Sequence, residues 1–197
     1  MIYYFAGYIL KSLMSLFGGP IRVMHKHRLL RDEGYVLACT HTGWVDIIWL
    51  GIVLLPQKIH FMAKKELFES PFVRWVVETL NAFPVDRENP GPSSIKIPVR
   101  LLKENKIVGI FPSGTRSSED VPLKRCAVTI ANYAKSPIIP AAYVGPNNFK
   151  EFFHFKRPRI IFGEPIYLRT DVSRREAQQM MMEELDQALK ELAERIK

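Results

Sequence analysis

Short apolar runs alternate with amphipathic stretches along most of this 197-residue chain. Runs of this length, rich in Ile, Val, Phe and Tyr, are typical of buried strands. Strands are predicted at Ile21–Met24, Tyr35–Thr40, Ile59–Ala63, Asn81–Val85, Ile107–Phe111, Ile138–Val144 and Arg159–Phe162. Their alternation with helices predicts a single α/β domain built in layers.

The intervening stretches carry the spacing of helices that bury one face. Helices are predicted at Asp46–Leu55, Pro71–Leu80, Ser94–Lys103 and Lys124–Ala134. Because Pro98 lies inside the third of these, a start of that helix at the proline itself is the alternative. A last helix follows Ser173, which forms a capping box with Glu176. Its apolar stripe is predicted to pack on the core: Ala177, Met181, Leu185, Leu189, Leu192 and Ile196.

The N-terminus is a different kind of helix. Residues Met1 to Phe17 carry one charge, Lys11, which with Gly7 and Ser15 forms a narrow polar stripe. At ~25 Å it is shorter than a ~30 Å hydrocarbon core, and the pattern favours a helix lying in one leaflet, with a core helix as the alternative. We expect two parts, a membrane-associated helix at 1–19 and a domain at 20–197, because Gly18-Gly19-Pro20 breaks the helix.

A net charge of +8 predicts an anionic partner. Nucleic acid is not expected, because no helix-turn-helix, zinc or RNA-binding motif is present. An anionic membrane surface fits better, and a basic cluster after the first helix would meet its head groups: Arg22, His25, Lys26, His27, Arg28 and Arg31. Cys39 and Cys126 lack metal-site or redox spacing and are predicted to be buried, reduced thiols, and no metal site is expected.

One segment carries the strongest chemical signal. His41 follows a predicted strand, and Asp46 stands at the start of the next helix, beyond a Thr42-Gly43 turn. A carboxylate on one ring nitrogen would leave the other as a base for a substrate hydroxyl. The loops Phe83–Arg87 and Phe111–Ser117 also follow strands and carry arginines suited to phosphate. Together they predict a phosphorylated acceptor whose hydroxyl is deprotonated.

These segments, in this order, resemble the PlsC-type 1-acyl-sn-glycerol-3-phosphate acyltransferases. His41 and Asp46 match the family's H-x4-D block, and Val85-Asp86-Arg87 matches its second block. The likeness runs from about Ile21 to Ile166. Its remaining segments are Phe61–Phe68, Phe111–Ser117 and Ile138–Tyr143.

The resemblance implies a fold and a reaction. The fold is α/β, with a mixed central sheet flanked by helices and an N-terminal membrane-associated helix. The reaction moves a fatty acyl group from acyl-CoA or acyl-carrier protein to the sn-2 hydroxyl of lysophosphatidic acid, at the cytoplasmic face of the membrane, as a monotopic or peripheral protein. It needs no cofactor and no metal.

The resemblance also implies roles for individual residues. His41 would be the base and Asp46 its orienting carboxylate. A phosphate contact for Lys64 is the alternative to an ordinary surface lysine. The acceptor's glycerol phosphate would be held by Arg87 and by the third block: Ser113, Gly114, Thr115 and Arg116.

Two departures from the family pattern leave alternatives open. Ser113 stands where the family has glutamate, and Lys124-Arg125-Cys126-Ala127 lacks the usual glycine-containing step. One alternative is an acyltransferase with another acceptor, either glycerol 3-phosphate or a different lysolipid. The other is a non-catalytic lipid-binding protein, which would have no use for an oriented base.

Overall fold

The computed structural model of the chain describes residues 2–40, 43–86, 91–113, 120–146, 151 and 157–197. The helices are α1 (Ile2–Gly18), α2 (Trp44–Leu54), α3 (Pro71–Thr79), α4 (Ser93–Lys103), α5 (Asp120–Ala134) and α6 (Arg174–Arg195). The strands are β1 (Arg22–Met24), β2 (Val36–Thr40), β3 (Ile59–Lys64), β4 (Phe83–Val85), β5 (Ile107–Ser113), β6 (Ile138–Val144) and β7 (Arg159–Phe162). Short 3₁₀ turns lie at Lys26–Arg28 and Lys65–Phe68.

Within the described ranges, the seven strands form one sheet in the order β1-β7-β6-β2-β5-β3-β4. β6 and β7 are antiparallel, and the other neighbouring strands are parallel. The predicted mixed α/β sheet flanked by helices is therefore confirmed. One edge of the sheet, the carboxyl edge, gathers the last residues of five strands: Thr40, Lys64, Val85, Ser113 and Val144.

The first residues of β1 and β7 lie at the same edge. Val144 pairs in register with Arg159, because β7 runs against β6, and Arg159 pairs with Arg22. The carboxyl edge thus extends across the whole sheet, from β1 to β4.

Alternate residues of each strand enter two separate cores. In β2, Leu37 and Cys39 join the core beneath α1 and α2, whereas Val36 and Ala38 join the core beneath α4, α5 and α6. This alternation follows from the two-residue repeat of a strand. We call α1, α2 and α3 the first layer, and α4, α5 and α6 the second layer.

The handedness of the connection from β3 to β4 places α3 in the first layer. The steps from β2 to β3 and from β3 to β4 run in the same direction along the sheet. Right-handed crossovers then place α3 on the same face as α2. Ala82, which follows α3, packs against the first-layer core.

Several boundaries differ by a few residues from the sequence-based prediction, and three of these differences have a local physical reason. α4 begins at Ser93 and contains Pro98, so a start at the proline is wrong; the Pro92 carbonyl holds the first turn by accepting from Lys96 N–H at 2.9 Å. α5 begins at Asp120, because Pro122 lies in a first turn that needs no N–H. β4 begins at Phe83, because Asn81 adopts φ 55° and ends α3.

The last helix agrees with its prediction. The Ser173 hydroxyl accepts from Glu176 N–H, and the Glu176 carboxylate accepts from Ser173 N–H at 3.1 Å. The predicted apolar stripe is buried: Met181, Leu185 and Leu189 join the second core, and Leu192 and Ile196 pack in a smaller cluster with Ala142 and Ile161. The Lys124 ammonium, from the segment that departs from the family pattern, binds Asp186 of α6.

α1 is partly a core helix and partly exposed. Met14 is buried in the first core, and Gly7 lies against the side chain of Leu55, so Gly7 is not part of an outward polar stripe. Other apolar side chains of this helix remain exposed: Tyr8, Ile9, Leu13 and Leu16. Within the described residues, every helix is too short or too polar to cross a bilayer. The leaflet-bound helix and the division at residue 19 stay predictions.

The basic cluster after α1 is divided between the two edges of the sheet. Arg22 lies at the carboxyl edge, whereas Lys26 lies at the opposite edge, where its ammonium donates to the Val53 carbonyl at the end of α2 (2.7 Å). Arg28 donates to the Phe162 carbonyl and pairs with Glu164. Burial, reinforced by the charges of Lys11 and Arg31, lowers the pKa of Lys26. Lys26 and Arg28 therefore each donate to a backbone carbonyl, and contact of the cluster with head groups stays a prediction.

Candidate active site

Asp46 is fixed at the carboxyl edge by the start of α2. It is the third residue of that helix, and its side chain is completely buried (0% exposed). Its Oδ2 accepts a hydrogen bond from the backbone N–H of Gly43 at 3.2 Å. A carboxylate that reaches back to the N-cap amide is half of a capping box, and it meets the positive end of the helix dipole. The sequence prediction of an acidic residue at a helix start is confirmed.

Two side chains lie close enough to Asp46 for its negative charge to raise their pKa. Burial raises the pKa of the Cys39 thiol, and the negative charge of Asp46 raises it further. The Tyr143 phenol is affected in the same order, by burial first and then by Asp46. Cys39 comes from β2 and Tyr143 from β6, so Asp46 lies over these two strands. Cys39 is a free, buried thiol, as predicted.

The end of β2 is tied to both neighbouring strands. The Thr40 hydroxyl accepts from the Tyr143 backbone N–H at 3.2 Å, on the β6 side. On the β5 side Thr40 is in register with Ser113, past a bulge that begins after the Ala38–Ile110 pair. Bulges often re-aim side chains beside active sites. The backbone that leads into His41 is thus held from two directions.

Tyr143 is the residue of this site that sequence reasoning missed. Its hydroxyl is buried and donates to the Pro146 carbonyl at 3.2 Å. The sequence placed it in an apolar strand, at the end of the last segment that resembles the family, without a role of its own. A tyrosine in such a strand needs a polar partner, which was the available signal.

Five predicted site residues lie outside the described residues: His41, Arg87, Gly114, Thr115 and Arg116. The residues just before them in the sequence are described. Thr40, Asp86 and Ser113 all stand at or directly after strand ends on the carboxyl edge. The structure therefore brings the three chain segments to one edge, while the His41–Asp46 pair and the phosphate contacts stay predictions.

Two lysines at the end of β3, Lys64 and Lys65, make different contacts. Lys64 ends the strand at the carboxyl edge, and its ammonium lies 3.8 Å from a Glu66 carboxylate oxygen. Lys65 binds Asp86 at 2.6 Å and so links the ends of β3 and β4. A phosphate contact for Lys64 stays a prediction. In the described part of the chain, no group of three or more His, Cys, Asp or Glu residues could hold a metal ion.

Comparisons with known proteins agree with this geometry. The Acyltransferase family model matches residues 20–144. A 1-acyl-sn-glycerol-3-phosphate acyltransferase of Bacillus subtilis is 52% identical over 197 residues, covering 99% of this chain and 98% of that protein. One from Streptococcus pneumoniae is 38% identical, covering 83% of this chain and 61% of that protein.

A solved structure is similar in fold. The lysophosphatidic acid acyltransferase PlsC of Thermotoga maritima aligns with a TM-score of 0.66 at 18% identity. The alignment covers 97% of this chain and 80% of that one. At this identity the likeness concerns the fold alone.

Proposed function

The chain belongs to the acyltransferase family, and on that premise we propose that it transfers a fatty acyl group from an acyl thioester to the sn-2 hydroxyl of lysophosphatidic acid, giving phosphatidic acid. One observation carries the proposal: 52% identity, from end to end, with a 1-acyl-sn-glycerol-3-phosphate acyltransferase. The buried carboxylate at the carboxyl edge is consistent with it, because ligands of open α/β sheets bind outside the carboxyl ends of the strands.

The chemical step uses a base and no protein nucleophile. His41 takes the proton of the acceptor's sn-2 hydroxyl as that oxygen forms a bond to the thioester carbonyl carbon. The tetrahedral intermediate collapses, the carbon–sulfur bond breaks, and the thiolate leaves with a proton from His41. Asp46, held by Gly43 N–H, orients the imidazole and stabilises its charged form. The products are an ester and a free thiol.

Positioning of the acceptor supplies the rest of the catalysis. Arg87 and Arg116 are assigned to the phosphate, with Lys64 as a further contact, because their segments follow strands that end at the carboxyl edge. Ser113, Gly114 and Thr115 complete the acceptor site. Holding the phosphate places the hydroxyl at the base, which converts an encounter into an oriented reaction.

The same proposal assigns a location and a donor. The acceptor and the product are lipids, and α1 exposes Ile9, Leu13 and Leu16, so the enzyme works at the cytoplasmic face of a membrane as a monotopic or peripheral protein. The donor is acyl-CoA or acyl-carrier protein, whose thiolate leaves readily. No cofactor or metal takes part in this scheme.

The test is a panel of donors and acceptors with the purified full-length chain in detergent micelles. We expect lysophosphatidic acid to give phosphatidic acid and one equivalent of free thiol. His41→Ala should lower turnover by about 10²–10⁴-fold. His27→Ala is the matched control, since His27 is exposed and follows β1 at the other edge, and should keep wild-type turnover.

Two results would replace the proposal. A preference for glycerol 3-phosphate or a zwitterionic lysolipid would assign a different acceptor. A wild-type protein that binds lysolipid but turns over no acceptor would make the chain a lipid-binding member of the family.

A further inference from the structure

α3 exposes two large aromatic side chains. Phe72 is 73% exposed and Trp75 is 64% exposed. Val77 is the one residue of this helix that is buried. Exposed apolar patches on a folded protein mark sites of interaction.

These side chains lie beside the proposed active site. β3 ends at Lys64 on the carboxyl edge, and a single 3₁₀ turn separates it from Pro71, where α3 begins. Phe72, in the first turn of α3, is therefore near that edge. Trp75 lies one turn further along.

The last turn of α1 reaches the same edge from the other end of the sheet. α1 ends at Gly18, and Arg22, the first residue of β1, is in register with Arg159 at the carboxyl edge. Leu16, in that last turn, is 71% exposed. α1 packs on α2 toward β1, whereas α3 connects β3 with β4, so α2 and Asp46 lie between the two apolar sites.

The carboxyl edge also carries a basic cleft of about 780 Å³. Arg22, Arg157 and Arg159 line it, and no acidic side chain does so among the described residues. Arg22 and Arg157 are exposed, while Arg159 also donates to the Lys197 carbonyl at 3.0 Å. Basic side chains of this kind complement the negative potential of an anionic lipid surface.

We propose that Phe72 and Trp75 insert into the interface of an anionic phospholipid bilayer, as a second contact beside Leu13 and Leu16 of α1. Two apolar sites on either side of Asp46, with a basic cleft at the same edge, fit one flat anionic surface. Trp suits the interface, where its amphipathic ring lies at the level of the head groups, and Phe suits the apolar face of a helix that lies in the interface. The inference rests on the proposed function, because the acceptor then enters the site directly from the bilayer.

The first test measures vesicle binding of the full-length chain. The variant Phe72→Gln/Trp75→Gln should bind vesicles of phosphatidylcholine and phosphatidylglycerol about tenfold or more weakly than wild type. The matched control is Tyr167→Gln, an exposed aromatic that follows the bridge of Ile166 to the start of β6, at the opposite edge. That control should bind as wild type does. Thermal unfolding of each variant checks its fold.

A second readout follows Trp75 itself. Vesicles with brominated acyl chains should quench wild-type tryptophan fluorescence, and Trp75→Phe should lose that quenched component while still binding. The proposal would be overturned if the double variant bound vesicles as well as wild type, or if bromine did not quench the fluorescence of Trp75. Either result would favour a protein partner for Phe72 and Trp75.

Activity in micelles separates this proposal from the one before it. With lysophosphatidic acid dispersed in detergent, the double variant should turn over as wild type does, because no bilayer has to be docked. A wild type that is inactive in micelles would refute the proposed function, whereas vesicle binding and quenching would still decide the role of α3.

Discussion

The two helix layers pack on the same sheet but treat their apolar side chains differently. In the second layer, α6 buries its entire stripe, and the exposed Tyr133 ring is covered by the Arg174 guanidinium at 4.8 Å. In the first layer, among the described side chains, α1 buries Met14 and α3 buries Val77, and the two helices expose more than they bury: Tyr8, Ile9, Leu13, Leu16, Phe72 and Trp75. A layer that needed only to close a core would not expose these groups. The difference separates a structural face from the face that we propose meets an apolar partner.

The layers differ in polar chemistry as well. The first layer holds the buried carboxylate of Asp46 at a helix start, facing the carboxyl edge. The second layer uses its carboxylate, Asp186, to join helices through Lys124 and Lys190. One charge is proposed to serve the reaction and the other joins two helices, which makes the comparison testable with identical substitutions.

The largest expected effect is on turnover. Asp46→Asn should lower kcat by about 10²–10⁴-fold, because the amide favours the wrong imidazole tautomer. Stability should change little, since the amide oxygen can still accept from Gly43 N–H. Asp186→Asn, the same substitution in the second layer, should leave kcat unchanged. An Asp46→Asn enzyme that keeps more than about a tenth of its turnover would break the comparison.

The next largest effect is on stability, and here the substitution in the second layer should have the greater effect. Leu185→Ala removes a completely buried side chain of α6 and should cost about 2–5 kcal/mol of unfolding free energy. Leu16→Ala removes an exposed leucine of α1 and should stay within about 0.5 kcal/mol. Urea unfolding of both variants measures the two values. Equal losses would mean that α1 is packed as tightly as α6.

The smallest effect depends on pH. Hydrogen bonds from Lys124 and Lys190 lower the pKa of Asp186. A lowered carboxyl pKa stabilises the fold above the unfolded value of about 3.9, and this contribution is lost as pH falls through the folded pKa. Asp186→Asn should therefore cost at most about 1 kcal/mol at neutral pH. Unfolding of wild type and variant should converge on acidification, and a gap that persists at about pH 2 would contradict the assignment.

Much of the fold could be predicted because its signals are local. Apolar runs marked every strand of the sheet, and Ser173 with Glu176 marked the start of α6. The strand order could not be read, because it depends on pairings such as Val36 with Val108 and with Ile138. The start of β4 could not be predicted either, because the left-handed backbone of Asn81 leaves no trace in hydropathy.

The site shows the same limit. The sequence placed Asp46 correctly, since a helix start after a strand is a local pattern. It did not bring Tyr143 to Asp46, because β6 reaches β2 from about a hundred residues later in the chain. The bond of Lys26 to the Val53 carbonyl could not be predicted for the same reason, because 27 residues separate the two.

The position of β2 in the sheet determines the order in which its neighbours can pair with it during synthesis of the chain. β2 is synthesised early but is completed only when β5 and then β6 pair on its two sides. A nascent chain that has not yet released Val144 from the ribosome has the segment of His41 and Asp46 without the strand that carries Tyr143. Such long-range pairings form slowly and leave strand edges open meanwhile. An edge that needs all three strands is therefore complete only after the first two thirds of the protein have been translated, and strand edges that stay open during that interval favour aggregation.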